Sequence, residues 1–140
     1  MVLDTGASEH MRGARSPLRV TGPIQSRSDP LYIRTANEVV TVSDRIHVHI
    51  PGLPVSPVLA NRLPGDSPDL LSLGLLVREN NYWYKHTRKG GFQLFDSNGK
   101  LVEGVRLVND VPMLFGDAAV STEQLALTAA CTLNNHINSL

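Results

Sequence analysis

The stretch Val2-Leu3-Asp4-Thr5-Gly6-Ala7-Ser8 decides the interpretation of this chain. Two apolar residues lead into an Asp-Thr-Gly turn, and small or polar residues follow at once. We interpret the pattern as a short buried strand that carries the carboxylate of Asp4 to its end. The glycine two positions later allows another backbone, or a substrate, to approach closely. The same residues also fit an ordinary turn in which the aspartate has only a structural role, so the rest of the chain has to separate the two interpretations.

Length and composition describe one domain of balanced charge. The chain has 140 residues, enough to bury roughly two-thirds of its unfolded surface. Thirteen basic and thirteen acidic residues cancel, so the net charge predicts neither a nucleic-acid partner nor a membrane surface. No apolar run approaches the ~20 residues that span a bilayer. The single cysteine excludes an internal disulfide and is typical of a reducing compartment.

Short β-prone runs separated by turn residues predict a mainly β domain. Residues 31–34 and 39–42 form a predicted hairpin whose tip is Thr35-Ala36-Asn37-Glu38. Residues 45–50 alternate strictly and predict a strand with Ile46, Val48 and Ile50 on one face. Residues 12–19 and 21–30 are rich in Gly, Pro and Ser, and we expect loops and turns there.

The second half of the chain continues the β pattern and adds helices. The most apolar run, residues 69–77, predicts a buried strand followed by a short helix over residues 73–80. Further strands are expected at residues 55–59, 82–86, 91–95, 101–108 and 111–115. A capping box at Ser121 and apolar residues at helical spacing predict a helix over residues 122–135. We therefore expect a β domain at residues 1–115 and a C-terminal helical extension at residues 116–140.

Several segments, in matching order from Val2 to about Leu114, resemble the protease segment of copia-type LTR retrotransposon polyproteins. That family is a branch of the retropepsin-like aspartic proteases. The segments are Leu3-Asp4-Thr5-Gly6-Ala7-Ser8 followed by His10-Met11, then Thr35-Ala36-Asn37, then Asp69-Leu70-Leu71-Ser72-Leu73-Gly74-Leu75-Leu76, then Phe95-Asp96-Ser97-Asn98-Gly99-Lys100.

The resemblance implies a retropepsin-like, all-β half-barrel with a flap hairpin and one short helix. It also implies an aspartic endopeptidase that works as a homodimer without a cofactor and cuts its own polyprotein. The expected location is the cytoplasm, within virus-like particles where these form, and neither a membrane nor a nucleic acid is an expected direct partner.

The resemblance also assigns roles to individual residues. Asp4 corresponds to the catalytic aspartate, Thr5 to the residue that joins the two turns of a dimer, and Gly6 to the residue that meets the substrate backbone. The remaining assigned residues would line the peptide site: Ala7, Ser8 and Glu9 beside the peptide, the flap tip Thr35, Ala36, Asn37 and Glu38 above it, and Leu70 and Leu71 as an apolar wall that supports the catalytic loop.

The chain departs from the family pattern at three places, and the first of them leaves an alternative function open. Related proteases have a strand before the catalytic one, whereas three residues precede Asp4 here. Glu38 stands where a flap glycine is common, and Ser72 stands where retroviral relatives have glycine, although copia-type sequences share the serine. The alternative is a catalytically inactive retropepsin-like module for dimerisation or binding.

Other residues with chemical potential have simpler interpretations. His47 and His49 share a strand face, but with no third ligand nearby we expect a solvent-facing strand and no metal site. We expect His10 to pack or hydrogen-bond beside the Asp4 turn. Tyr82, Trp83 and Tyr84 alternate along a strand. We expect some of them in the core and some on the surface, and no stacking on nucleic-acid bases.

Overall fold

The computed structural model describes residues 1–34 and 38–116, and within them the chain is mainly β with one short helix. This confirms the predicted fold class at that level. The flap residues Thr35, Ala36 and Asn37 and the helix expected over residues 122–135 lie outside the described residues. The strands are β1 (Val2–Asp4), β2 (Met11–Arg12), β3 (Gln25–Arg34), β4 (Val39–Val48), β5 (Val58–Arg62), β6 (Leu70–Ser72), β7 (Trp83–Thr87), β8 (Gly91–Phe95), β9 (Val105–Val108) and β10 (Val111–Leu114), and the helix α1 (Leu73–Asn80) follows β6.

Eight of these strands form one mixed sheet in the order β3-β4-β5-β2-β6-β1-β10-β9, and β7 and β8 form a separate two-stranded sheet. The outer strands of the large sheet, β3 and β9, are not paired with each other, so the described residues form an open sheet and not a closed barrel. Strand β1 lies inside the sheet, parallel to β6 and antiparallel to β10.

Two hydrophobic clusters cover the central strands. Leu3, Leu71 and Leu114 belong to the larger cluster, whereas their immediate neighbours Val2, Leu70 and Met113 belong to the smaller one. Because successive side chains of a strand point to opposite faces, the two clusters lie on opposite faces of the sheet. Strand β1 is therefore buried on both sides, as its two leading apolar residues predict.

Helix α1 begins and ends where its sequence signals lie. The Ser72 hydroxyl accepts a hydrogen bond from the Leu75 amide at 3.1 Å, which satisfies one amide of the first turn. The helix ends at Asn81, whose left-handed backbone (φ 58°) stops the helix. Leu73 and Leu76, three residues apart, are both fully buried and attach the helix to the larger cluster. The predicted helix over residues 73–80 is confirmed.

Several predicted boundaries were wrong. Strand β3 begins at Gln25 and runs through Pro30, where turns were expected. Its register with β4 shifts between Ser26 and Leu31. Because β3 is an edge strand, it tolerates Pro30, which has no amide proton. The two predicted strands at residues 39–42 and 45–50 are one continuous strand, β4, which ends at Val48. The strand expected at residues 55–59 is displaced to Val58–Arg62, and the one expected at residues 101–108 is shortened to Val105–Val108.

The loop after β2 is fixed by Asp69, the residue before β6. One oxygen of its carboxylate accepts from the Gly13 amide at 2.9 Å and the other from the Ser16 hydroxyl at 2.7 Å. A Cβ atom at Gly13 would overlap the carbonyl oxygen of Ser67, so only glycine fits at this close approach. The loop predicted at residues 12–19 is thus held against the segment that leads into β6.

We expect Leu76→Ala to destabilise the domain by about 2–5 kcal/mol, because it leaves a cavity in the larger cluster. The matched control is Val77→Ala on the same helix, since Val77 is 40% exposed and a surface truncation costs less than about 0.5 kcal/mol. Urea unfolding of both variants measures the two values. Equal losses would contradict the burial assigned to α1.

Candidate active site

Asp4 is the last residue of β1, and its position is fixed by the neighbouring strand. In the parallel pairing of β1 with β6, Asp4 lies opposite Ser72, the residue from which α1 starts. Val2 and Leu3 anchor the strand in the core, with 0% and 2% exposure, while Asp4 itself is half-buried. A rigid buried strand therefore holds one carboxylate at the point where the chain reaches the surface.

The turn after Asp4 is open to solvent. Thr5 and Gly6 are exposed, and the Gly6 amide donates a hydrogen bond to Asp4 Oδ1 at 2.8 Å. This contact is the Asx-type bond that aspartate commonly forms with its own backbone two residues later. It is compatible with both interpretations of the turn, the catalytic one and the structural one.

Ser72 ties the turn to the helix. Its hydroxyl donates to the carbonyl oxygen of Ala7 at 2.6 Å while accepting from the Leu75 amide at 3.1 Å. Ser72 is fully buried, so neither bond competes with bulk water. The sequence marked Ser72 only as a departure from retroviral relatives; its N-cap position before α1 is the signal from which the structural role could have been found.

His10 is hydrogen-bonded to the backbone of Ser72. Its side chain is 5% exposed, and Nδ1 accepts a hydrogen bond from the Ser72 amide at 2.9 Å. Burial lowers the pKa of His10 from 6.5 to about 4, against the opposing effect of the nearby Glu9 charge. The ring is therefore neutral at pH 7, with its proton on Nε2. The expected role, local hydrogen bonding beside the Asp4 turn, is confirmed.

Glu9 takes part in a polar network that the sequence did not predict. Its carboxylate is 2.9 Å from the Arg27 guanidinium, whose same nitrogen donates to Asn61 Oδ1 at 2.7 Å. Asn61 is 1% exposed and its side-chain amide donates to the carbonyl oxygen of His10 at 3.3 Å. The network links the segment after the turn to β3 and β5. Its members are 18 to 52 residues apart, so local patterns carry no signal for it.

A cavity of about 520 Å³ lies beside this segment. Ser8, Glu9 and His10 form part of its wall, and Arg45 and Arg78 line it as well. The Arg45 Nε atom is buried and has no hydrogen-bond partner among the described residues. Asp4 does not line this cavity, so the cavity and the carboxylate are separate features of the molecule.

The remaining predicted site residues fall into three groups. Leu70 and Leu71 are buried in opposite clusters below the turn, at 9% and 0% exposure, which fits support of the loop; their role as a substrate wall stays a prediction. Ala7 is half-buried, and Ser8 is exposed. Of the four residues of the expected flap tip, only Glu38 is described, and it is exposed next to β4. The hairpin below it is present, since Arg34 pairs with Val39.

No metal centre is found in the part of the chain that the structure describes. Within residues 1–34 and 38–116, no three His, Cys, Asp or Glu side chains are grouped to hold an ion. His49 Nδ1 lies 3.0 Å from the Ser56 hydroxyl, and both His47 and His49 are half-buried and not fully solvent-facing.

Comparison with protein-family models, curated proteins and solved structures finds no significant match to this chain. Over the described residues, no helix has both the length and the apolar character needed to cross a bilayer.

Stability should depend on pH through His10. The unfolded ring takes up a proton near pH 6.5, whereas the folded ring does so only near pH 4, so the unfolded state binds more protons between these values. Stability consequently falls as the pH drops from about 6.5 to about 4, by on the order of 3 kcal/mol for this group.

The measurement is urea unfolding across this pH range for the wild type and for His10→Asn, whose side-chain oxygen can replace Nδ1 as the acceptor. We expect the variant to lose most of the pH dependence between pH 4 and 6.5. His86→Asn on an exposed strand is the control and should keep the wild-type dependence. A His10→Asn profile parallel to the wild type would contradict the assignment.

Proposed function

We propose that this chain is an aspartic endopeptidase of the retropepsin-like type, which acts as a homodimer with one Asp4 from each chain. The observation that carries the proposal is the delivery of Asp4 by a strand buried on both faces, into an exposed turn that Ser72 ties to the start of α1. Functional groups are commonly carried by loops that project from a rigid scaffold in this way. The retropepsin-like fold is part of the same proposal.

The order and pairing of the elements support that fold. The Asp4 strand, the β3–β4 hairpin, β5 and then β6 leading into α1 follow each other along the chain and share one sheet. The hairpin rises from the edge of the sheet and would act as the flap, closing over an extended peptide by backbone hydrogen bonds. The segment Thr35-Ala36-Asn37-Glu38 would form its tip.

The mechanism follows from the pairing of two carboxylates. Two such groups a few ångströms apart cannot both be charged, so the pair holds one shared proton. The charged carboxylate removes a proton from a water molecule, and the neutral one donates a hydrogen bond to the substrate carbonyl oxygen. Water adds to the carbonyl carbon, the carboxyl group that took the proton from water gives it to the amide nitrogen, and the carbon–nitrogen bond breaks. The two carboxylates titrate as a unit, so the shared proton is not assigned to one of the two Asp4 residues before the substrate binds.

The substrate and setting are proposed from the resemblance. We infer that the enzyme processes the polyprotein of a copia-type retrotransposon, in the cytoplasm or within virus-like particles. Thr5 would hold the two turns together across the dimer axis, and Gly6 would meet the backbone of the substrate. Ala7, Ser8 and Glu9 would lie beside the bound peptide, where the Glu9–Arg27 pair would add a charged boundary.

Asp4→Asn should reduce peptide cleavage at least about a hundredfold, since it removes the group that takes the proton from water. The assay is digestion of a library of extended peptides at acidic and neutral pH. Asp44→Asn is the matched control: Asp44 forms a surface pair with Arg62 and its loss should leave cleavage unchanged. Cleavage that survives in Asp4→Asn would remove Asp4 from the mechanism.

Mixing wild-type chains with Asp4→Asn chains tests the shared site directly. If pairs form at random, an equal mixture lowers the activity per wild-type chain to about half, because mixed dimers hold only one carboxylate. Unchanged activity per wild-type chain would show that one chain suffices. A chain that dimerises but cleaves no peptide would favour the alternative, an inactive dimerisation or binding module.

A further inference from the structure

The β7–β8 hairpin concentrates basic and aromatic residues. From Asn80 to Phe95 the sequence has no Asp or Glu. Within that stretch the basic side chains of Lys85, His86, Arg88 and Lys89 follow directly after Trp83 and Tyr84. The net charge of the whole chain is zero, so this local excess of positive charge is hidden in the total.

The structure buries one face of β8 and leaves the whole of β7 exposed. Phe92 and Leu94 of β8 are buried in the larger cluster at 6% and 0% exposure. All five residues of β7, by contrast, are exposed. The register places Trp83 opposite Phe95 and Lys85 opposite Gln93, and because side chains alternate, these four share the outward face. Arg88 and Lys89, also exposed, lie in the turn at its end.

The aromatic pair on the outward face forms a flat platform. The Trp83 and Phe95 rings stack with their centroids 4.0 Å apart and their planes 10° from parallel. Trp83 remains 46% exposed, and the Lys85 ammonium lies 5.7 Å from the Phe95 centroid. A ring fixed by a stacking partner and still open to solvent loses little freedom when a further planar group stacks on it.

We propose that this outward face binds single-stranded nucleic acid, with Trp83 stacking on a base and Lys85, Arg88 and Lys89 contacting phosphates. An exposed ring next to cations matches the alternation of base and phosphate along a single strand. An anionic membrane fits less well, since the Trp83 ring lies flat on Phe95 and does not project. The proposal goes beyond the endopeptidase function and does not depend on it.

The proposal departs from two expectations of the sequence: that this domain has no nucleic-acid partner, drawn from the net charge and from the resemblance, and that Trp83 does not stack on bases. Net charge averages over all faces of a protein, whereas a nucleic acid contacts one. Three of the thirteen basic residues and none of the thirteen acidic residues lie in this stretch.

Binding can be followed by the protein's own fluorescence, because Trp83 is the single tryptophan of the chain. The full chain is titrated at low salt with oligo(U) and oligo(dT) of about 12 nucleotides, within the usual site size for such surfaces. We expect saturable quenching with one or both strands, and the two arms separate RNA from DNA. Polyphosphate of equal charge and vesicles of anionic lipid are the comparison ligands.

Two sets of variants separate stacking from charge, measured by anisotropy of a labelled oligonucleotide. Trp83→Leu should weaken binding about tenfold, as expected for one lost base stack. We expect a weaker salt dependence when one cation is removed. The negative slope of log affinity against log salt should shrink in magnitude by about 0.7 in each of Lys85→Gln, Arg88→Gln and Lys89→Gln. Arg15→Gln is the control, since Arg15 is 84% exposed and pairs with Asp66 elsewhere on the surface, and it should leave the slope unchanged.

Several results would overturn the proposal. These are no quenching by either oligonucleotide at low salt, equal affinity for polyphosphate, preference for anionic vesicles, or unchanged oligonucleotide affinity in Trp83→Leu. An equal decrease in the magnitude of the salt slope in Arg15→Gln would also overturn it. Thermal unfolding of each variant checks that the fold is intact, and because Lys85, Arg88 and Lys89 are exposed we expect unchanged midpoints for their variants.

Discussion

The hydroxyl and amide of Ser72 join three parts of the candidate site that are distant in sequence. Through its amide it fixes His10, through its hydroxyl it fixes both Ala7 and the first turn of α1, and through strand pairing it lies opposite Asp4. A glycine at this position would keep the amide bond and lose both hydroxyl bonds. The serine therefore gives the turn after Asp4 a connection to the core that does not depend on any partner chain.

Burial of β1 on both faces explains how an exposed turn can be held in place. Each of its apolar residues packs into a different cluster, and β6 and β10 pair with it on either side. The strand cannot shift by one residue without exchanging its two faces. The exposed residues Thr5 and Gly6 thus extend from a fixed base, as functional groups commonly do when loops project from a rigid scaffold. On one side of β1 lies β10, a strand from much later in the chain.

Local chemistry made part of this structure predictable. The end of β1, the β3–β4 hairpin and helix α1 each follow from signals within about ten residues: an apolar pair before Asp-Thr-Gly, two β-prone runs, and the apolar run at residues 69–77. The contacts of β10 with β1 and the Glu9–Arg27–Asn61 network depend on chain packing over long distances, so no local pattern contains them. The start of β3 was mistaken for turns because its Ser and Pro residues have turn preferences that the sheet edge overrides.

The outward face of the hairpin and the Asp4 turn share no hydrogen bond, ion pair or ring contact among the interactions described, although Leu3 of β1 and the inward residues of β8 lie in the same cluster. The hairpin is attached by the inward residues Phe92 and Leu94. Among the interactions described, its outward residues Trp83 and Lys85 both contact Phe95 on the same face. The turn is held by Ser72, the last residue of β6, and by His10, which directly precedes β2. Changes at side chains that share no partner usually add in free energy. A change on the outward face of the hairpin should therefore alter what the domain binds and leave the position of Asp4 as it is.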